Sequence, residues 1–291
     1  MTDDPTELPT GGGDPLGVGR MQDVEDIRRA YMKMVRVADI GRHFETPVPA
    51  EFNQPYTVTE TDWTGMSRPP QGKYLNRKRN LRRAMNRIQL FMPELLGGAP
   101  KRIFELSTAH GAILEVLRHY GHEVMGNDYV NMVSGDTPEQ RAIYRRANDP
   151  GFVRDKDDYG LPIPSGDQIV DWPYRPIIDS IGIPMALFDA GRTPYPLEAQ
   201  SFDYVLSMQA IEHYCHPQDW MTIVDEMCRI ARQGVFLLLN PMMPEMTADP
   251  VYAQAFHKAR ADLRDFDRHG FRCVGCHLHW GQALGFKLMR L

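Results

Sequence analysis

The chain has 291 residues, enough for one sizeable core with extensions or at most two small domains. With 33 basic and 38 acidic residues, its formal net charge of −5 disfavours a general nucleic-acid binder while allowing a local basic surface. The longest uninterrupted apolar run, VFLLL at 235–239, is far too short to span a bilayer. Four cysteines make no disulfide framework in a chain this long, and the N-terminus has no apolar signal region. The expectation is a cytoplasmic protein with no membrane partner.

Residues 1–20 are acidic and rich in Pro and Gly, with few apolar side chains to offset ordering entropy, which predicts a disordered tail. A helical N-terminal extension is expected over 21–98. Val24, Ile27, Tyr31, Met34, Val35 and Ala38 form an i, i+3, i+4 stripe that predicts a helix over 21–42. Residues 44–71, with isolated Phe52, Tyr56 and Trp63, read as an extended arm. A strongly basic helix is expected from Lys73 to about Leu96, stopped by Gly97-Gly98. Its Arg79, Arg82, Arg83 and Arg87 lie close on one side, while Leu81, Met85, Ile88 and Met92 point inward. Such a run is commonly a solvated helix face, but over 73–87 it also suits an anionic small molecule or glycan, and nucleic acid is unlikely without being excluded.

From 99 onward the periodicity changes. Short apolar strands are expected at 102–106, 123–127, 183–188, 202–208 and 234–240, with helices at 111–120, 176–182, 217–232 and 249–264. Two closing strands follow at 271–278 and 286–291. Strands alternating with helices predict an α/β, Rossmann-like, mostly parallel seven-stranded sheet with helices on both faces. An insertion at about 131–175 is longer than a plain connection and reads as a lid or substrate wall.

Three stretches carry the chemistry. Glu105, Ser107, Ala109 and Gly111 lie on the turn after the first strand. Asp128 follows the second strand, 21 residues after Ser107, near the separation at which an acidic residue meets ribose hydroxyls in dinucleotide folds. The block ALFDAGRTPYPLEAQSFDYVLSMQAIEH at 186–213 ends one strand in Asp189-Ala190 and delivers Gln209, Glu212 and His213 past the next. This pattern resembles the class I S-adenosylmethionine-dependent methyltransferases, over roughly residues 99–291. That family's acidic-x-Gly-x-Gly-x-Gly turn falls on 105–111, with Ser107 and Ala109 standing where two glycines are usual.

The resemblance implies S-adenosyl-L-methionine as cofactor, with Asp128 on the ribose, Asp189 and Ala190 at the adenine, and Glu105, Ser107, Ala109, Gly111 and Gln209 around it. It implies methyl transfer to a hydroxyl, or an amine, of a small-molecule or sugar acceptor. His213, then His216, with Glu212, are the candidates for a base or substrate contact, unless the Glu-His pair only braces the loop. A catalytically silent scaffold of the same fold is the alternative that Ser107 and Ala109 suggest. A nicotinamide dinucleotide would explain Asp128 but not the 186–213 block. No metal is expected, because Gln209 stands where a metal-binding variant of the family has Glu. Cys273-Val274-Gly275-Cys276-His277 spells a haem-attachment pattern, or with His279 part of a zinc site, but packed core cysteines in a strand are the expected reading.

Overall fold

The computed structural model describes residues 49–58, 74–128, 174–242, 244–278 and 283–291, within one compact unit, Val48–Leu291. The expected tail at 1–20, the helix at 21–42, Trp63, His279 and the insertion up to residue 173 lie outside the described residues. Among the described residues, no helix is long and apolar enough to cross a membrane.

A short turn at Ala50–Asn53 buries Phe52. Helix α1 (Arg77–Phe91) begins where the Asn76 side chain accepts the Arg79 amide at 3.1 Å. It buries Leu81, Ala84, Met85, Ile88 and Phe91 on one face. The basic helix is shorter than its composition suggests. Pro93 disfavours helical backbone at Met92, which leaves the helix at ψ 46°, and a 3-10 turn covers Pro93–Leu96.

Strand β1 (Arg102–Leu106), helix α2 (Ala112–His119), strand β2 (Glu123–Asp128), helix α3 (Arg175–Ile181) and strand β3 (Met185–Leu187) then alternate. Strand β3 is shorter than the apolar run at 183–188 because Pro184 has no amide to donate. Strand β4 (Phe202–Met208) is followed by helix α4 (Trp220–Ile230), where one longer helix from 217 was expected; Pro217–Asp219 is a 3-10 turn instead. Strand β5 (Ala231–Leu239) starts directly after α4, three residues before the expected strand. Helices α5 (Pro244–Thr247) and α6 (Pro250–Arg264) lead to β6 (Asp267–Arg268), β7 (Phe271–Leu278) and β8 (Leu284–Arg290).

The strands form one sheet in the order β3-β2-β1-β4-β5-β8-β7-β6. The first five are parallel and the last three run antiparallel. The sheet therefore has eight strands rather than seven, the extra one being the two-residue β6. Apolar side chains alternate between its faces, as on β5: Val235, Leu237 and Leu239 pack with α4 and α6, while Phe236 and Leu238 pack with α1, α2 and α3. Both faces are covered by helices, which is why the parallel strands read as nearly continuous apolar runs.

The 273–277 motif behaves as packed core only in part: Cys273 packs against the main core, while Cys276 does not. Strand β7 has a bulge between Cys273 and Gly275, so Cys273 and Cys276 turn to one side with their sulfurs 3.8 Å apart. Cys276 is exposed and Cys273 half-buried, because β7 lies near the sheet edge. His277 faces the other way, its ring 5.3 Å from that of Phe91. Among the described residues no group of three His, Cys, Asp or Glu side chains is arranged to hold a metal.

Candidate functional site

Chain order reverses between β1 and β4: from β1 the chain moves outward to β2 and β3, then returns to β4 on the other side. In open parallel sheets the crevice for ligands opens at the carboxyl ends of the strands flanking such a point. Here those ends are Leu106-Ser107 and Met208-Gln209.

The turn after β1 keeps a left-handed backbone at every second residue: φ is 53° at Ser107, 50° at Ala109 and 70° at Gly111. Side-chain-bearing residues rarely adopt that region. The turn holds because its neighbours fix it. The Thr108 amide donates to the Asn127 carbonyl at 2.8 Å, and the Thr108 hydroxyl donates to the Glu105 carbonyl at 3.0 Å. The Ala109 amide donates to Asp128 Oδ2 at 2.9 Å. Gly126 on β2 lets the turn come this close, since a Cβ there would sit 2.5 Å from the Thr108 hydroxyl.

Ser107 is more than a spacer. Its side chain hydrogen-bonds the buried Tyr214 hydroxyl, which also lies 3.3 Å from the Ser207 hydroxyl on β4. Burial pushes the Tyr214 phenol above its ordinary range, and the charges of Glu212 and Asp128 add to this. Tyr214 thus ties the first turn to the strand that forms the other wall.

Two buried carboxyls flank the crevice. Glu105 ends β1 with one oxygen, Oε2, lacking a hydrogen-bond partner. Burial raises its pKa to about 8, against the pull of the Arg87 guanidinium, with Asp128 adding to the rise. Glu212, in the 3-10 turn Ile211–His213, accepts the Asn240 amide through Oε1 while its Oε2 is also unpartnered. Burial raises its pKa to about 7, against the backbone amides that bond it.

Further along this edge, Asp189 accepts the Gly191 amide at 2.9 Å and lies 3.4 Å from Arg192. The Ala190 carbonyl accepts the Tyr195 hydroxyl at 2.8 Å. Tyr195 is itself held by α4: its amide donates to Glu226 at 2.6 Å and Arg229 reaches its carbonyl at 3.2 Å. Asn127 ties β2 to this edge by donating to the Ala186 and Phe188 carbonyls at 2.9 and 3.0 Å.

Glu105, Ser107, Ala109, Gly111, Asp128, Gln209 and Glu212 therefore come together along the carboxyl edge, with Asp189 and Ala190 one strand beyond Asp128. His213 is half-buried on the same turn as Glu212. His216 is drawn away: it is buried, its Nδ1 accepts the Gln218 amide at 3.2 Å, and its ring packs edge-on against Tyr252.

Gln209, expected at the site, also has a left-handed backbone, φ 59°, and its amide group bridges Arg87 and Asn240. Three contributors, Arg87, Asn240 and Tyr214, were not legible in the sequence. Arg87, read as one of a row of surface arginines, instead reaches in from α1, where burial lowers its pKa despite Glu105. Asn240, just past the apolar run of β5, had only its position at a strand end as a signal. Tyr214 directly follows the Glu-His pair but carried no signal that it would reach back to β1.

Residues 179–239, spanning β3 to β5, match the family model described as methyltransferase domain. No curated relative matches the chain. Among solved structures, an S-adenosylmethionine-dependent methyltransferase from Aquifex aeolicus is similar at 13% identity and TM-score 0.37, over 71% of this chain and 93% of that one. Magnesium protoporphyrin IX methyltransferase from Synechocystis PCC 6803, with bound S-adenosylhomocysteine, is similar at 11% identity and TM-score 0.40, over 74% and 87%. A putative sarcosine dimethylglycine methyltransferase from Galdieria sulphuraria is similar at 9% identity and TM-score 0.41, over 74% and 86%. The methyltransferase-domain match over residues 179–239, together with the parallel order β3-β2-β1-β4-β5 and its reversal point between β1 and β4, supports the class I S-adenosylmethionine-dependent methyltransferase superfamily.

Proposed function

We propose that the chain binds S-adenosyl-L-methionine along the β1–β4 edge and transfers its methyl group to a hydroxyl, or an amine, of a small-molecule or sugar acceptor. The observation that carries this reading is the turn at 105–111. With Ser107 and Ala109 in the left-handed region and Asp128 holding the Ala109 amide, the backbone follows the path that glycines would give it. This favours a working cofactor turn over a silent scaffold.

The charge pattern fits the cofactor. Its ammonium and sulfonium are cations, and the unpartnered oxygens of Glu105 and Glu212 are buried acceptors suited to a cationic ligand. Asp128 would meet the ribose hydroxyls, since a carboxylate accepts several donors at once. Asp189 and the Ala190 backbone would border the adenine. When bound, the sulfonium supplies an electrophilic methyl, and displacement is in line, so alignment of the acceptor supplies much of the rate. His213 would take the acceptor proton. Glu212 braces the end of β5 and His216 the turn before α4, so both act in support.

Asp128→Ala tests the cofactor site: S-adenosylhomocysteine affinity should fall at least tenfold, about 1.4 kcal/mol or more. Unchanged affinity would remove Asp128 from the site. His213→Ala should keep that affinity while abolishing turnover once an acceptor is found; retained turnover would refute its role as base.

A further inference from the structure

Most arginines elsewhere on the described surface meet a carboxylate, or, like Arg118 and Arg290, donate to backbone carbonyls. Arg102 pairs with Glu123, Arg175 with Asp179, Arg229 with Glu226, Arg268 with Asp225 and Arg272 with Asp267. Helix α1 breaks this pattern. Its Arg77 pairs with Glu115, but Arg79, Arg82 and Arg83 are exposed and none of them meets a carboxylate among the described residues. The helix itself contains no acidic residue.

Arg79, Arg83 and Arg87 follow one another at i, i+4 and i+8, about 6 Å apart along the helix axis. Like charges at this spacing repel, and cations near a helix N-terminus oppose its dipole. Arg83 shows the strain, its pKa lowered by partial burial and by Arg79. The row does not end in solvent: Arg87 reaches Gln209 at the tip of β4. A line of guanidinium groups thus runs from the surface to the mouth of the crevice, its outer members Arg79 and Arg83 without a carboxylate partner among the described residues and its inner member Arg87 facing Glu105.

We infer that this row binds an anionic group on the acceptor, so that the acceptor is a small molecule carrying at least one phosphoryl group. The inference rests on the methyltransferase reading for the word acceptor, and on α1 alone for the anion. Guanidinium forks suit phosphoryl oxygens in paired hydrogen bonds. A row of three arginines about 12 Å long is short for a nucleic acid, whose binding draws on six to ten phosphate contacts in typical cases, and the net charge of −5 does not help one.

Inorganic pyrophosphate is the probe. It is titrated by calorimetry into the full chain and into Arg79→Gln, Arg83→Gln and the double variant, at about 20 mM and about 200 mM salt. S-adenosylhomocysteine is titrated into the same samples. The expected result is saturable pyrophosphate binding that weakens with salt and falls roughly tenfold per arginine removed, with S-adenosylhomocysteine affinity unchanged. Pyrophosphate binding that is absent, or equal in the wild type and the double variant, overturns the inference. A single-stranded oligonucleotide that binds more tightly than pyrophosphate, loses its affinity in the same variants and has a salt slope beyond about −3 overturns the small-molecule assignment. Loss of S-adenosylhomocysteine binding in the wild type, with pyrophosphate behaving as expected, removes the methyltransferase reading and leaves the anion site standing.

Discussion

Restoring glycine at the two altered positions of the β1 turn should have unequal consequences. At Ala109, φ 50°, the left-handed backbone costs about 1–2 kcal/mol for a residue with a Cβ. Glycine removes that cost but loosens the unfolded chain by about 0.4–1 kcal/mol. Ala109→Gly should therefore stabilise the fold by about 0.5–1 kcal/mol. Ser107, φ 53°, carries the same backbone cost, but its side chain also bonds the buried Tyr214 hydroxyl. Losing that bond costs about 1 kcal/mol, so Ser107→Gly should be close to neutral. In a Tyr214→Phe background the bond is already gone, and Ser107→Gly should then stabilise by about as much as Ala109→Gly. Urea unfolding of the two singles, Tyr214→Phe and the Ser107→Gly/Tyr214→Phe double gives the cycle, with a coupling of about 1 kcal/mol expected. A destabilising Ala109→Gly, or a Ser107→Gly that stabilises equally with and without Tyr214, would refute the reasoning.

Other consequences follow from particular contacts. Glu105 and Glu212 have pKa values raised to about 8 and about 7, so between their unfolded values and these the folded state holds more protons than the unfolded one. Stability of the ligand-free protein should therefore fall as pH rises from about 4.5 towards 8. Denaturant midpoints across that range check the slope, which Glu105→Gln should reduce most above pH 7; a midpoint that climbs through the window would contradict it. Gly126→Ala would put a Cβ 2.5 Å from the Thr108 hydroxyl and 2.6 Å from the Met185 sulfur, destabilising the fold by about 1–3 kcal/mol through overpacking; a thermal melt matching wild type would show that the turn can shift at no cost. Maleimide labelling followed by peptide mapping should modify Cys276 first and Cys273 more slowly, while the buried Cys215 and Cys228 stay protected until the protein unfolds.

Much of the sheet was legible because its physics is local. The five parallel strands carry their apolar runs whether or not the helices around them are known, and Asp128, Asp189 and Gln209 fall at strand ends by simple counting. What escaped depended on contacts between distant segments. That Ser107 and Ala109 hold a glycine-like path follows from Gly126, Thr108 and Asp128, none of which advertises the turn. Arg87 reads as one basic residue among seven until the helix is docked and its turn faces Gln209. His216 looks as suitable as His213 until the Pro217 turn is seen to use its Nδ1 as a cap. The boundaries shifted where proline intervened, at Pro93, Pro184 and Pro217. Of the two strand cysteines expected to pack inward, Cys273 does and Cys276 does not, because a bulge at Val274 alters the strict alternation of a strand.

The most direct test is calorimetric titration of the purified chain with S-adenosylhomocysteine and S-adenosylmethionine, with NAD as control. Saturable binding of both sulfur ligands at micromolar concentration, and none of NAD, is expected from the turn at 105–111 and the carboxylates around it. No binding of either at millimolar concentration would contradict the cofactor site and leave a methyltransferase fold that serves as a scaffold.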